Sequence, residues 1–281
     1  MCDDVLLDIY VDADVLPYQK DRYVAAIETY EKLYGADAVE IYSAPGRSEV
    51  GGNHTDHQHG QVLAASINLD AIAIVAKTSD DKIQVISDGY DLITIDASDL
   101  SLVESEKETT TALIKGVAAG LKEHGHAVGG FKAYITSDVL IGAGLSSSAA
   151  FETIIGTILS GLYNNGSVSA IEIAIIGQYA ENVYFGKPCG LMDQMASSVG
   201  NIITIDFADP AHPDVEPVQV DFSQAGLALC ILDSGADHAD LTDEYAAIPN
   251  ECRAVAAVCG GEVLRDVPFE TFLANIPACR K

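Results

Sequence analysis

Apolar residues recur at helical spacing in several stretches of the chain. The clearest stretch is residues 151–162, where apolar side chains fall at i, i+3, i+4 and i+7, the spacing that places them on one face of a helix. They are Phe151, Ile154, Ile155, Ile158, Leu159 and Leu162. Similar patterns predict helices over residues 21–34, which Gly35 ends, over 110–124 and over 170–184.

Short aliphatic runs between glycine- and aspartate-bearing turns predict strands. They cover residues 39–43, 67–77, 82–87, 92–96 and 131–137. Ala44, Pro45 and Gly46 are expected to break the first of these strands. Helices and strands therefore alternate in mixed order, which predicts an α+β layer structure.

A glycine- and serine-rich stretch, LIGAGLSSSAA at residues 140–150, joins the last strand to the clearest helix. Gly142 and Gly144 free the backbone to turn, and Ser146, Ser147 and Ser148 supply hydroxyl groups just before the helix. Backbone N–H groups at a helix start attract anions, and phosphate is the usual one. The alternative is a simple glycine turn with a serine N-cap, which any helix can have.

This stretch is not a P-loop, because that motif ends in a lysine that reaches the outer phosphates. No Lys or Arg lies between Lys132 and Lys187. A nucleotide bound here would therefore need a metal ion and a cation from elsewhere in the chain.

A second polar, glycine-rich stretch, GRSEVGGNHTDHQHG, covers residues 46–60. One interpretation is a metal site, since His54, Asp56, His57 and His59 are all possible ligands. Their spacing fits neither a helix nor a strand, and no further ligand cluster follows. A binding site for a polar small molecule fits better.

Two acidic residues further along stand out. Glu181 lies near the end of the helix predicted over 170–184, where the helix dipole disfavours a carboxylate, and a solvent-exposed face is the ordinary explanation. Pro188 can open a new helix, which places Asp193 in or near its first turn. The dipole and a nearby arginine would keep that carboxylate ionised.

The large negative net charge of the chain makes some classes of binding partner unfavourable. With 15 basic and 42 acidic side chains the net charge is −27, so nucleic acid and anionic membranes are poor partners. Apolar runs are too short to span a bilayer, and the first residues lack a basic flank and apolar core, so we expect a cytoplasmic protein. The six cysteines form no Cys-x-x-Cys pair and are expected to be reduced thiols.

The two polar stretches, together with PCGLMDQ at residues 188–194, resemble in order and separation the galactokinases of the GHMP kinase superfamily. A fourth stretch, residues 232–252, looks like their segment with a sugar-contacting tyrosine. The resemblance implies transfer of the γ-phosphoryl group of ATP to the anomeric hydroxyl of galactose. It also implies a two-lobe fold, with a ribosomal protein S5 domain 2-like lobe over 1–200 and a ferredoxin-like lobe over 201–281.

The resemblance also assigns roles to individual residues. The catalytic residues would be Asp193 and Arg47. The sugar would contact Asn53, His54, Asp56, Gly190, Asp193 and Tyr245. The phosphates of ATP would lie against Gly142, Ala143, Gly144, Leu145, Ser146, Ser147 and Ser148. Mg²⁺ would be held by Glu181 together with Ser147 or Ser148.

The chain departs from the family pattern at several positions. Asn53 stands where most members have a glutamate that contacts the sugar, Ser48 and Glu49 replace Val-Asn, and Leu140 replaces a proline. Family members also continue past the last residue into a third motif, so we expect a C-terminally truncated chain with an incomplete second lobe. Three functions stay open: a sugar kinase, monomeric if complete; an idle relative that senses sugar and nucleotide; and an inactive truncated product.

Overall fold

One long strand organises the fold. The computed structural model describes residues 3–140, 144–220, 222, 224–232 and 242–279, with side chains of residues 242–246 left out. Within these residues the strands are β1 (Glu40–Gly51), β2 (Gln61–Lys77), β3 (Lys82–Ser87), β4 (Ile93–Asp96), β5 (Phe131–Ser137), β6 (Ile202–Asp206) and β7 (Asp214–Pro217). All belong to one sheet in the order β4-β3-β5-β2-β6-β7, with β1 on the other edge of β2. β2 pairs with β6 through its first half and with β5 through its second half.

Helices cover both faces of this sheet. They are α1 (Asp3–Tyr10), α2 (Leu16–Tyr34), α3 (Thr110–Glu123), α4 (Ser147–Asn164), α5 (Ala170–Tyr179), α6 (Met192–Val199), α7 (Thr242–Val258) and α8 (Phe269–Cys279). Alternate residues of β2 serve the two faces: Ala73 and Val75 pack towards α3 and α4, whereas Ile72 and Ile74 pack towards α1 and α2. Burial on both faces explains the unbroken apolar run in the middle of β2. The described helices include none long and apolar enough to cross a membrane.

The mixed layer structure and most predicted elements are confirmed. Strands β3 and β5 have the predicted bounds, and the apolar stripe of residues 151–162 lies within α4. The N-terminal region was predicted less well. α1 was not predicted, and α2 begins at Leu16, five residues before the predicted start, with Pro17 in its first turn. Proline is common at that position because its missing N–H has no partner within the helix.

The predicted break at Ala44, Pro45 and Gly46 is wrong, because β1 runs through these residues to Gly51. The register shifts between Pro45 and Arg47, so a β-bulge accommodates the residue that cannot donate a hydrogen bond. Arg47 is therefore part of a paired strand and not of a free loop.

The predicted division of the chain at residue 200 stays a prediction. β6 and β7 lie beyond it, yet they extend the sheet of the first 200 residues. After Pro217 the described residues form helices α7 and α8 and a short 3-10 turn, and a ferredoxin-like lobe also stays a prediction.

Candidate active site

Arg47 and Asp193 meet at the centre of the site. The guanidinium donates from Nε to Oδ1 and from Nη2 to Oδ2 of Asp193, both at 2.7 Å, so the pairing is bidentate. The Arg47 side chain is 9% exposed and that of Asp193 is 29% exposed. A bidentate pair of this kind fixes the orientation of the carboxylate as well as its charge. These residues are 146 positions apart in the sequence, and the fold brings them together.

The glycine- and serine-rich stretch docks directly on this pair. Nη1 of Arg47 donates to the Gly144 carbonyl at 2.6 Å, and the backbone N–H of Arg47 donates to the Leu145 carbonyl at 3.1 Å. The Ser146 hydroxyl donates to Oδ2 of Asp193. Gly46 permits this approach, because a Cβ there would lie 2.9 Å from the Leu145 carbonyl oxygen.

Ser146 does not act as the simple N-cap of α4. Its backbone is left-handed, with φ of 55°, and its hydroxyl points to Asp193 and caps no N–H of the helix. The first N–H groups of α4 are thus not occupied by this side chain, which keeps the helix start suitable for an anion. Ser147 and Ser148 are the first two residues of α4. Gly142 and Ala143 lie outside the described residues.

Asp193 is held in its ionised form. Burial acts to raise its pKa, but the Arg47 guanidinium and the Ser146 hydroxyl outweigh burial and lower the pKa below its ordinary value. The nearby His54 acts in the same direction. Asp193 is the second residue of α6, in the predicted first turn, although α6 begins at Met192 and not at Pro188. A carboxylate with a lowered pKa orients a hydroxyl group well but is a weak base.

The turn that follows β1 lies beside this pair. Asn53 and His54 are left-handed, with φ of 61° and 50°, and are exposed. Asp56 is buried, accepts from the backbone N–H of Met192 at 3.2 Å and so ties the turn to α6. Gly190 packs against Asp56, and a Cβ at Gly190 would overlap its carboxylate. These predicted sugar residues therefore lie together around the start of α6.

The role of Tyr245 in sugar binding stays a prediction. It belongs to α7, but its side chain lies outside the described residues. The next turns of α7 do reach the site: Ile248 and Cys252 line a cavity together with Asn53 and His57. In the described part of the chain, no group of three or more His, Cys, Asp or Glu side chains is placed to hold a metal ion.

The prediction that Glu181 lies on a solvent-exposed helix face is wrong. α5 ends at Tyr179 and continues as a π-helical turn, Ala180–Phe185, which directs Glu181 inward, where it is buried. Nε2 of Gln194 donates to Oε2 of Glu181 at 2.9 Å and to Oε2 of Glu152 at 3.0 Å. Sequence reasoning missed Glu152, although it is the only charged residue in α4.

Both buried glutamates hold their protons more tightly than usual. Burial, and then repulsion by Glu181, raises the pKa of Glu152 well above its ordinary value. Burial also raises the pKa of Glu181, although the Cys189 thiol and Lys187 oppose it. One neutral amide bridges the two buried carboxylates, and among the described residues Lys187 is the cation that acts on both, yet burial still outweighs it at each carboxylate.

The donor atoms here fit a divalent cation such as Mg²⁺, which prefers carboxylate and hydroxyl oxygens. Oε1 of Glu152 is buried with no hydrogen-bond partner among the described residues, which marks this region as incompletely satisfied. The hydroxyls of Ser147 and Ser148 make no hydrogen bond to Glu181 in the described part of the chain. Their joint role in holding Mg²⁺ stays a prediction.

Comparison with known proteins identifies two family regions. Residues 112–201 match the GHMP kinases N terminal domain, and residues 28–77 match the galactokinase galactose-binding signature. A galactokinase from Streptomyces coelicolor is 33% identical over 245 residues, which cover 86% of this chain and 62% of that protein. The chain thus spans less than two thirds of the length of this relative.

Solved structures share the fold. The galactokinase of Lactococcus lactis complexed with galactose superposes with a TM-score of 0.75 at 24% identity, covering 91% of this chain and 67% of that one. The mevalonate kinase of Methanococcus jannaschii gives a TM-score of 0.57 at 19% identity, covering 84% and 75%. Together with the two matched regions, these similarities show that the chain belongs to the GHMP kinase family and carries its galactokinase signature.

Proposed function

We propose that this chain carries the catalytic centre of a cytoplasmic galactokinase, which transfers the γ-phosphoryl group of ATP to the anomeric hydroxyl of galactose. The observation that supports it most is the bidentate Arg47–Asp193 pair, docked on the end of the glycine- and serine-rich stretch. The galactokinase signature over residues 28–77 supports galactose as the sugar.

The proposed reaction needs few covalent contributions from the protein. The anomeric oxygen forms a bond to the γ-phosphorus while the bond from phosphorus to the bridging oxygen of ADP breaks, and ADP takes the electron pair. Asp193 orients the hydroxyl and accepts its proton, which then passes to solvent. Because the pKa of Asp193 is lowered, this proton leaves late, after bond formation to phosphorus is well advanced.

Two sets of groups would neutralise the negative charge on the transferring phosphoryl group: protein donors and a bound cation. The N–H groups at the start of α4 would face the phosphates, and Arg47 contacts both the Gly144 carbonyl and Asp193 beside them. Glu181 and Ser147 or Ser148 would hold Mg²⁺, which would neutralise phosphate charge. The buried, poorly compensated carboxylate pair is the observation that favours a cation at this place.

The paired state of Arg47 and Asp193 argues against an idle relative, in which we would expect one of the two to be lost. A second function is therefore not proposed.

A coupled ADP-release assay against a panel of hexoses tests the proposal. Release that depends on galactose, and that stops when excess chelator removes divalent cations, is the expected result. ADP release that depends on no hexose would contradict the proposal that a sugar is the acceptor. Full activity in excess chelator would contradict the proposed requirement for Mg²⁺. Glu181→Gln, compared with the exposed Glu31→Ala as control, should raise the Mg²⁺ concentration needed for half-maximal rate.

A further inference from the structure

The turn after β1 has an unusual backbone. Three consecutive residues have positive φ: Gly52 at 125°, Asn53 at 61° and His54 at 50°. A left-handed conformation is sterically unfavourable for an ordinary L-residue, although asparagine tolerates it better than most. A strained turn of this kind persists only where the surroundings hold it in place.

Glu49 makes a hydrogen bond to this turn. Its Oε1 accepts the backbone N–H of His54 at 2.9 Å, and its Oε2 lies 3.8 Å from Nε2 of the same residue. The Glu49 side chain is only 14% exposed, whereas that of His54 is 53% exposed. Glu49 thus contacts both the backbone and the ring of a residue that is otherwise open to solvent.

The position of Glu49 on the strand explains why it can do this. It follows Arg47 by two residues in β1, and residues two apart in a strand project from the same face. Arg47 binds Asp193, while Glu49 binds the turn that carries His54. One strand therefore positions both the catalytic pair and the turn beside it.

We propose that Glu49 is a positioning residue: its carboxylate holds the left-handed turn and so fixes His54 next to Asp193. Asn53 then suits this position because of its backbone conformation, independently of any contact with sugar. The part of this inference that concerns sugar binding rests on the proposed function, whereas the part that concerns the turn does not.

The variants Glu49→Gln and Glu49→Ala separate the loss of the negative charge from the loss of the hydrogen-bond acceptor for the His54 N–H. Glutamine keeps an oxygen that can accept the His54 N–H, so its galactose KM should stay within about threefold of the wild type. Alanine removes the acceptor, and the galactose KM should rise roughly tenfold, about 1.4 kcal/mol, with the KM for ATP unchanged. Glu31→Ala, an exposed glutamate on α2, is the control for loss of an acidic side chain.

A second-site change tests the strain itself. Glycine adopts positive φ without steric cost, so Asn53→Gly should recover part of the loss in the Glu49→Ala background. Asn53→Gly alone reports any direct effect of the amide on the sugar. Equal galactose KM values in the single Glu49→Ala variant and in the double variant would show that the turn is not what Glu49 supports.

Hydrogen exchange measures the hydrogen bond from the His54 N–H to Glu49 and does not depend on enzymatic activity. In the wild type, a peptide covering residues 50–58 should contain a protected amide, that of His54, which Glu49→Ala exposes and Glu49→Gln largely keeps. Equal exchange in the wild type and Glu49→Ala would overturn the proposal. Protection lost as expected in a protein that phosphorylates no hexose would contradict the proposed function and leave the role of Glu49 in the turn supported.

Discussion

Two arginine–aspartate pairs contact the same sheet and differ in how far their carboxylates are exposed. Arg22 contacts Asp70 at 2.5 Å, with side chains only 7% and 2% exposed. Asp70 also accepts from Tyr10 at 2.9 Å and Ser43 at 2.5 Å, so three side chains donate to its carboxylate. Asp193 also accepts three side-chain hydrogen bonds, two from Arg47 and one from Ser146, but 29% of its side chain stays exposed.

The difference in exposure separates a structural pair from the pair proposed to take part in catalysis. The first pair fastens α2 to β2, because Arg22 also donates to the backbone carbonyl of Asp70 at 2.7 Å. The second pair leaves one side of a charged carboxylate open to a ligand at the start of α4. The two pairs have similar contact distances, 2.5 and 2.7 Å, so the exposure of the carboxylate to solvent distinguishes the proposed functional site from the structural pair.

Changing the open pair should affect turnover most. Asp193→Asn removes the proton acceptor and the orienting charge, and a loss of roughly a thousandfold in kcat is expected. Arg47→Lys cannot make the bidentate contact and should also lose at least about a hundredfold. Steady-state rates combined with titration calorimetry of ATP check this, since nucleotide affinity should change little. Unchanged turnover in either variant would remove that residue from the chemistry.

Changing the closed pair should affect stability instead. Arg22→Met leaves the Asp70 carboxylate buried without its cation, which is expected to cost about 3–5 kcal/mol of unfolding free energy. Urea denaturation of the variant measures this cost. At a temperature where the variant is still folded, its galactose KM should match that of the wild type. A large change in galactose KM with unaltered stability would show that the Arg22–Asp70 pair serves substrate binding and is not a structural pair.

Glycine 190 tests how closely the turn and α6 fit. In Gly190→Ala the new methyl group would overlap the Asp56 carboxylate and weaken its bond to the Met192 N–H, so galactose KM should rise roughly tenfold. Gly51→Ala is the matched control, since a Cβ there meets no atom within 4 Å. Similar KM values for the two variants would argue against a tight contact at Gly190.

The smallest expected effect is on the pH dependence of stability, and it concerns Glu152, a buried carboxylate that makes no ion pair with an arginine in the described part of the chain. Because the pKa of Glu152 is raised in the folded protein, its contribution to stability is full below its ordinary value of 4.5 and is lost as pH rises through the raised pKa. Glu152→Gln removes this titration. The variant should equal the wild type in unfolding free energy near pH 4 and become relatively more stable towards pH 8. A difference independent of pH, measured by urea denaturation, would contradict the raised pKa.

The sequence allowed the layers and the site to be predicted for different reasons. Helix periodicity located α4, which buries one regular face, and the aliphatic stretch at residues 67–77 located the second part of β2, which is buried on both faces. The course of β1 through Pro45 could not be predicted, since a bulge depends on the partner strand. The inward turn of Glu181 depends on a π-helical turn that has no reliable sequence signature.

The site residues came from resemblance more than from pattern. Arg47 and Asp193 are brought together as that resemblance implied. Glu49 was noted only as a departure, because its role depends on the left-handed turn at Asn53 and His54, which a sequence does not display. Glu152 could have been suspected as the only charged residue in an otherwise uncharged helix.

Phosphorus NMR of the product tests the central claim most directly. The protein is incubated with ATP, Mg²⁺ and galactose, and the signal of the sugar phosphate is followed for the wild type and Asp193→Asn. We predict a phosphate coupled to the anomeric proton, formed by the wild type and nearly absent with the variant. Phosphate on another hydroxyl, or equal product from both proteins, would contradict the role of the Arg47–Asp193 pair in transfer to the anomeric oxygen.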